Sequence, residues 1–434
     1  MTEETGIGGY FVANYPPFEH WSRDAVDAVN VRLDAPAEPG TPLGLYVHIP
    51  FCRKRCRFCY YKVYTEKNAR EVRAYLGAVA AEAALVAERA LVQGRPLDFV
   101  YFGGGTPSYL SVAQLTQLDE ALRSHFPRRE GAEVTFECEP GTITAPKMAS
   151  IQALGVTRVS LGVENFSASI LEENGRAHDA DDIDRAYAIL READFAQINI
   201  DLIAGMIGET EENWQKCIER TLEMQPDSVT IYQMEVPFNT TLAAETRAGA
   251  APPIANWETK RRWTREAFAA LLKKGYHQSS GYTLVRDPET RFQYRDQLWR
   301  GADLLGLGVS SFSHVGGVHH QNEKHLEAYV AQIESGALPI ARGHALTAEE
   351  RFIREFILQL KLGRISTRYF QEKFGIDPHM RFAAPLRSLE ALQLLSITET
   401  GVTLTPKGLM QIDALLPQFF LPAHGGPSPE ALHG

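Results

Sequence analysis

Three of the five cysteines in this 434-residue chain fall in one short stretch, "FCRKRCRFCYY", as Cys52, Cys56 and Cys59. A thiolate is a nucleophile and a soft metal ligand, and nearby cations favour it over the thiol. Here Arg53, Lys54, Arg55 and Arg57 stand between the cysteines, where an apolar core would not accept them. Three readings follow. Buried structural cysteine requires apolar surroundings, which this loop lacks. Structural zinc requires four ligands, commonly as paired C-x2-C units; no fourth Cys is near, and His48 belongs to the strand-like "YVHIP". An iron–sulfur cluster takes Cys thiolates, normally four. With three, one iron of a four-iron cluster stays open to bind something else.

The loop needs an element to hold it, and the sequence supplies a series of them. "LGLYVHIP" is an apolar, β-rich run, and so are "LDFVYFGGG", "AEVTFECE", "VTRVSLGV", "AQINIDLIAG" and "DSVTIYQMEV". Helical spacing separates them, as in "EVRAYLGAVAAEAALVAERAL" and "DADDIDRAYAILREA". This alternation predicts parallel βαβ units. In such folds the working residues sit at the C-terminal ends of strands. Each run here ends in something polar or glycine-rich: the cysteine loop, "GGGTP", "ECEP", "GVENF", "DLIAG", "QMEVP". All six motifs therefore converge on one face. Glu137 and Glu164 follow apolar strands, where a lone carboxylate is costly unless partnered.

The chain divides, on this pattern, into an arm (1–41), a βα core (42–240), an extension with a glycine-rich return segment (241–344), a mainly helical part with a hairpin turning at Gly401 (345–422), and a flexible tail (423–434). The arm is rich in Gly, Pro and scattered aromatics and is expected to lie outside the core. Cys138 and Cys217 are not expected to be ligands. His314, His319 and His320 lack an acidic partner at ligand spacing and are expected to be solvated or to face substrate. "QYRDQLWRG" brings Tyr294, Arg295, Trp299 and Arg300 together, either as a grip on a flat anion or as an ordinary helix start.

Composition restrains the rest. A formal net charge of -10 argues against non-specific nucleic-acid binding. No apolar run is long enough to span a bilayer, no export signal is evident, and an odd cysteine count argues against a disulfide framework. The expectation is a cytoplasmic enzyme with neither membrane nor nucleic acid as partner.

The C-x3-C-x2-C spacing resembles that of the radical S-adenosylmethionine (SAM) enzymes. "YVHIPFC", "YFGGGTPS", "SLGVENF", "NIDLIAG" and the closing helix–hairpin segment resemble the oxygen-independent coproporphyrinogen III oxidase group. The likeness runs from Tyr10 to about Phe420. That group contains the oxidase, a heme chaperone and the class C radical SAM methyltransferases. The resemblance implies an α/β fold, a partial (β/α)6 barrel with a winged-helix-like C-terminal domain. It implies a [4Fe–4S] cluster on Cys52, Cys56 and Cys59, and two SAM molecules. By the same likeness Gly103, Gly104, Gly105 and Thr106 hold the SAM amino group, with Glu137 and Glu164 as carboxylates beside it. Arg176 meets the SAM carboxylate, Asp201 the ribose, and Tyr46 the cluster-bound SAM. Glu137 and Tyr294 are the candidate catalytic residues. Implied partners are a flat conjugated or tetrapyrrole substrate and an electron donor such as flavodoxin or ferredoxin.

Two departures bear on the reaction. The oxidases carry a further Cys where this chain has Tyr61, and Gln where it has Glu164. The arm and "DLLGLGVSSFSHVGG" lie closer to the oxidase. The leading expectation is class C chemistry, methyl or methylene transfer to an sp2 carbon. Oxidative decarboxylation of coproporphyrinogen III is the alternative, and a heme chaperone the third.

Overall fold

The computed structural model describes residues 11–237, 239–249 and 253–425. Six apolar runs become the strands β1 (Leu43–Ile49), β2 (Leu97–Gly104), β3 (Arg128–Cys138), β4 (Arg158–Glu164), β5 (Gln197–Ala204) and β6 (Ser228–Gln233). They lie side by side in chain order, each parallel to the next. Helices make the crossovers. The first, Ala69–Ala87, starts at a capping box in which Asn68 accepts from the Arg70 and Glu71 amides while Glu71 reaches back; this satisfies N–H groups that would otherwise be orphaned.

Period-two alternation divides each strand between two environments. Val47, Val100, Phe136, Leu161 and Ile200 join the apolar core. The intervening residues make a polar lining: Tyr101 bonds Glu137, Ser160 bonds Asp201, and Asn199 ties Ser160 to Ser228 and Thr230. A purely apolar barrel would have no use for such a ladder.

The extension completes the sheet. The short strands β7 (His277–Gln278) and β8 (Thr283–Val285) add antiparallel beside β6. The return segment gives β9 (Asp303–Leu307), which pairs parallel with the free edge of β1. After it come the antiparallel β10 (Phe312–Val315), β11 (Val318–Asn322) and β12 (Ile340–Ala345). The twelve-stranded sheet runs β12-β11-β10-β9-β1-β2-β3-β4-β5-β6-β8-β7. Its parallel block thus contains β9 besides the six expected strands. Gly306 lets β10 approach β9 closely, because a Cβ there would stand 2.3 Å from the Phe312 carbonyl oxygen.

A second apolar core gathers on the helix Ala348–Leu360, with Phe352, Phe356, Phe370, Phe382 and Phe419. Beside it lies a three-stranded sheet of β13 (Arg364–Ser366), β14 (Leu395–Thr398) and β15 (Gly401–Leu404), in the order β13-β15-β14. Gly401 is not at the turn. It opens β15, where a Cβ would meet the Ile365 carbonyl oxygen at 1.9 Å.

The arm is not outside the core. Its helix Val26–Leu33 buries Val29 and Leu33 in the first core, and Tyr15 is buried in the second. Sequence reading missed this because the apolar residues are too sparse to show a period. Residues 1–10 lie outside the described residues, as do 426–434 of the expected tail. The described start of that tail is held: the His424 ring bonds the Tyr15 hydroxyl at 2.9 Å.

Candidate active site

The cysteine loop follows β1 and folds back on itself. The Cys52 amide donates to the Tyr64 carbonyl and the Tyr64 amide to Pro50. Gly175, in the left-handed region at φ 76°, lets the 174–176 turn press on the loop; a Cβ there would be 3.3 Å from the Arg55 carbonyl oxygen. Of the four loop cations, Arg55 favours the Cys59 thiolate, against the burial that raises its pKa, but two others are engaged elsewhere. Arg53 pairs with Glu139, and Arg57 spans Glu173 and Glu245. These pairs fasten the loop from outside. Glu139 also bonds His178; burial raises its pKa, but His178 and Arg53 outweigh that and hold it down at about 2. Among the described residues the cation within hydrogen-bond distance of a sulfur is Arg176, whose Nη1 lies 3.4 Å from Cys56 Sγ.

All three cysteines are free and half-buried. Burial pushes the Cys52 thiol up to about 11 and that of Cys59 up to about 12. Without metal these groups hold their protons, so ligation must displace them. Thr106 Oγ1 donates to Cys52 Sγ at 3.3 Å. His48 is not a fourth ligand in this arrangement: its Nδ1 pairs with the Tyr46 hydroxyl at 3.0 Å.

Each of the three glycines has its own reason to be glycine. A Cβ on Gly103 would strike the Tyr101 ring at 2.6 Å. Gly104 has φ 116° and faces the His48 ring. On Gly105, a Cβ would lie 3.0 Å from Cys52 Sγ and from the Ile49 and Phe51 carbonyl oxygens. Bare backbone is thereby left beside the cysteine loop.

Three carboxylates stand at neighbouring strand ends. Glu137 accepts from the Tyr101 hydroxyl at 2.5 Å and from the Gly104 amide at 3.1 Å. Asp201 is held by Ser160 and Asn199. Glu164, at φ 64°, lies 3.6 Å from Arg176 Nη1, whose other nitrogen donates to the Gly162 carbonyl at 2.7 Å. Burial, with Asp201 and Glu164 adding to it, pushes Glu137 up to about 7. Burial likewise raises Glu164 to about 7 against the pull of Arg176, and burial raises Asp201. A crowded, poorly solvated acidic group is suited to a cationic ligand.

Tyr46, Gly103 to Thr106, Glu137, Glu164, Arg176 and Asp201 therefore gather around the cysteine loop. Tyr294 joins them, its ring centroid 4.6 Å from that of Tyr101. Its supposed companions do not. Arg295 is buried against Asp296 and Ser279, Trp299 packs in the second core, and the Arg300 carbonyl caps Tyr369 and Lys373. The histidines are not solvated either. His314 and His319 pair through their Nδ1 atoms at 3.1 Å, and the Trp21 indole stacks on His319. Cys138 and Cys217 are buried. Tyr101 was missed, although its place two residues before Gly103 puts it on the same face.

Three free thiols of a cysteine loop, a glycine cradle against one of them, and carboxylates opposite an arginine fit a [4Fe–4S] cluster with SAM, the equipment of a radical SAM enzyme. The radical SAM superfamily pattern matches residues 46–221, and that of the HemN C-terminal domain matches residues 346–410. The oxygen-independent coproporphyrinogen III oxidase of Escherichia coli strain K12 is 30% identical over 427 residues, 95% of this chain and 92% of its own length. The Synechocystis oxidase is 29% identical over 396 residues, 86% and 83% of the two chains. The solved structure of the E. coli coproporphyrinogen III oxidase, described as a radical SAM enzyme, superposes with a TM-score of 0.82 at 28% identity, covering 94% of this chain and 96% of that one. The chain belongs to the oxygen-independent coproporphyrinogen III oxidase family of radical SAM enzymes. Its cofactors are a [4Fe–4S] cluster and SAM. These relatives favour oxidative decarboxylation over the class C transfer set first from Tyr61 and Glu164. No helix among the described residues is long and apolar enough to cross a membrane.

Proposed function

We propose that this protein carries out oxygen-independent decarboxylation of coproporphyrinogen III, turning propionate side chains into vinyl groups. The observation that carries the reading is the extent of the likeness, which takes in arm, sheet and C-terminal helices together. Two isolated point departures weigh less than agreement over the whole length.

When bound, the cluster and SAM supply an electron and a 5′-deoxyadenosyl group able to take a hydrogen atom from a propionate; the protein supplies everything else. In this reading Cys52, Cys56 and Cys59 hold the cluster. The backbone of Gly103 to Gly105 and the Thr106 segment, bare beside Cys52, would take the amino end of SAM, with Glu137 and Glu164 as counter-charges. Arg176 would receive the SAM carboxylate and Asp201 the ribose. Tyr46 and Tyr294 flank the lining on either side of Tyr101, where a second SAM or the substrate would lie. Glu137, protonated and ionised in comparable amounts near neutrality, can hold or release a proton at its Oε atoms. The electron donor belongs to the same proposal, as a flavodoxin- or ferredoxin-like protein.

The test is anaerobic turnover of reconstituted protein with reductant, SAM and coproporphyrinogen III, read by mass spectrometry. Vinyl product with 5′-deoxyadenosine and methionine is the expected result. Untouched porphyrinogen with continued 5′-deoxyadenosine release would defeat it; S-adenosylhomocysteine formed on another acceptor would restore the class C reading.

A further inference from the structure

A cavity of about 30 Å³ lies where the arm, the sheet extension and the helix Ala348–Leu360 meet. Asp303 on its wall opens β9 and pairs with Leu43 at the start of β1. The cysteine loop leaves the other end of that seven-residue strand, roughly 20 Å away. The lining is charged, and most of the charge is cancelled in pairs. Arg351 grips Glu38 through two bonds of 3.1 Å. Asp303 takes Arg95 at 2.8 Å and the Gly316 amide at 2.7 Å. Glu355 takes Lys373 at 2.7 Å and the Tyr369 hydroxyl.

Arg354 is the exception. It lines the cavity and is 2% exposed, yet its bonds go to neutral acceptors. Nε donates to Asn14 Oδ1 at 2.8 Å and Nη1 to the Leu298 carbonyl at 3.5 Å. Among the described residues Nη2 has no partner, and no carboxylate forms an ion pair with the group. Burial lowers its pKa to about 10 against the more distant pull of Glu355 and Asp303, so it stays charged at neutral pH. A buried charge without a counter-ion is costly.

His314 supplies the second group, and the bonds around it fix its protons. Asn14 Oδ1 accepts from Arg354 Nε and from the Tyr15 amide, so the Asn14 amide nitrogen is the donor to His319 Nδ1. His319 therefore carries its proton on Nε2, which donates to the Tyr15 carbonyl at 2.9 Å. His314 Nδ1 must then donate to His319 Nδ1 at 3.1 Å. Burial, with the Arg354 charge, keeps His314 neutral, which leaves its Nε2 a bare acceptor. His314 also lines the cavity, and among the described residues nothing donates to this nitrogen.

The cavity thus offers a cation's donors and one lone pair, in the room of about two waters. Nitrate or chloride would satisfy the guanidinium and leave the lone pair unmet. We infer that the site binds a small oxyanion that carries a proton, of the hydrogencarbonate class, with its oxygens on Arg354 and its O–H donated to His314 Nε2. The inference stands apart from the proposed reaction.

The probes are sodium hydrogencarbonate, sodium nitrate (the same shape and charge without the proton) and sodium chloride. Each is titrated calorimetrically into reconstituted holoenzyme at fixed pH and ionic strength, with cluster absorbance as a control. Hydrogencarbonate should bind once per chain, and nitrate should bind roughly three- to tenfold more weakly. Arg354→Gln should weaken hydrogencarbonate by roughly tenfold or more. His314→Asn keeps an N–H for His319 but lacks the Nε2 acceptor; it should abolish the preference over nitrate while leaving nitrate binding and cluster absorbance unchanged. This second variant decides the matter should Arg354→Gln fail to fold. Equal binding of hydrogencarbonate and nitrate to the wild type, no saturable binding of either, or a preference that survives His314→Asn would overturn the site.

Discussion

At the scale of single residues, the chemistry turns on groups whose charge the fold opposes. Glu137 sits at about 7, above its ordinary value of 4.5, because burial disfavours its charge. A carboxylate raised in this way binds more protons folded than unfolded between those two values. Its contribution to stability is therefore largest at low pH, falls as pH rises through that window, and is level above it. In protein without cofactor, Glu137→Gln should reduce the loss of unfolding free energy between pH 5 and pH 8 by on the order of 1 kcal/mol, measured by urea titration. SAM affinity should run the other way, rising toward pH 8 in the wild type and flattening in the variant. Cys56→Ala should leave the fold and abolish the charge-transfer absorption of the cluster; a full iron–sulfur spectrum would remove Cys56 from the ligand set. Cysteine spacing was the most legible feature of the sequence, because three ligand atoms on one loop depend only on local chain. What Arg53 and Arg57 do was not legible. Their partners, Glu139, Glu173 and Glu245, come from other segments, and nothing local distinguishes a cation that serves a thiolate from one that anchors a loop.

At the scale of elements, apolar, β-rich runs alternating with helical stretches marked six strands and the ends at which they act. That pattern did not mark β9, because "DLLGL" is only five residues long and sits in a glycine-rich segment with no helical stretch of the same regularity before it. The arm was illegible for a different reason, because its few apolar residues are committed to two different cores. The glycine run is permissive by sequence; the structure gives each position a close neighbour, and Gly104 a positive φ as well. Gly105→Ala should prevent the cluster from seating, as the new methyl would stand 3.0 Å from Cys52 Sγ and two backbone oxygens. Iron content after reconstitution should fall severalfold, whereas Gly77→Ala, with nothing within 4 Å, should load normally and gain roughly 1 kcal/mol of helix stability. Equal iron in the two variants would dismiss the cradle.

At the scale of the molecule, one buried lysine joins parts that are remote in sequence. Lys361 is fully enclosed and pairs with Asp413 at 3.1 Å, donates to the Val12 carbonyl at 2.9 Å and faces the Phe11 ring at 3.5 Å. Asp413 in turn accepts from the Val12 amide at 2.9 Å and from Tyr282. Removing one member strands a buried charge, so Asp413→Ala should cost about 3–5 kcal/mol and expose the arm to protease; unchanged denaturation and cleavage would show the pair to be dispensable. The same knot sets a timetable. Val12 meets Asp413 across 401 positions, and the Leu421 amide meets the Tyr15 hydroxyl across 406. During synthesis Val12 and Tyr15 precede these partners by about 400 positions and cannot take up the ties until Asp413 and Leu421 have been made. The sheet can assemble in that interval, but the tie between arm and C-terminal core cannot. A nascent chain arrested before Lys361 would thus hold a formed sheet without either tie between the arm and the C-terminal core.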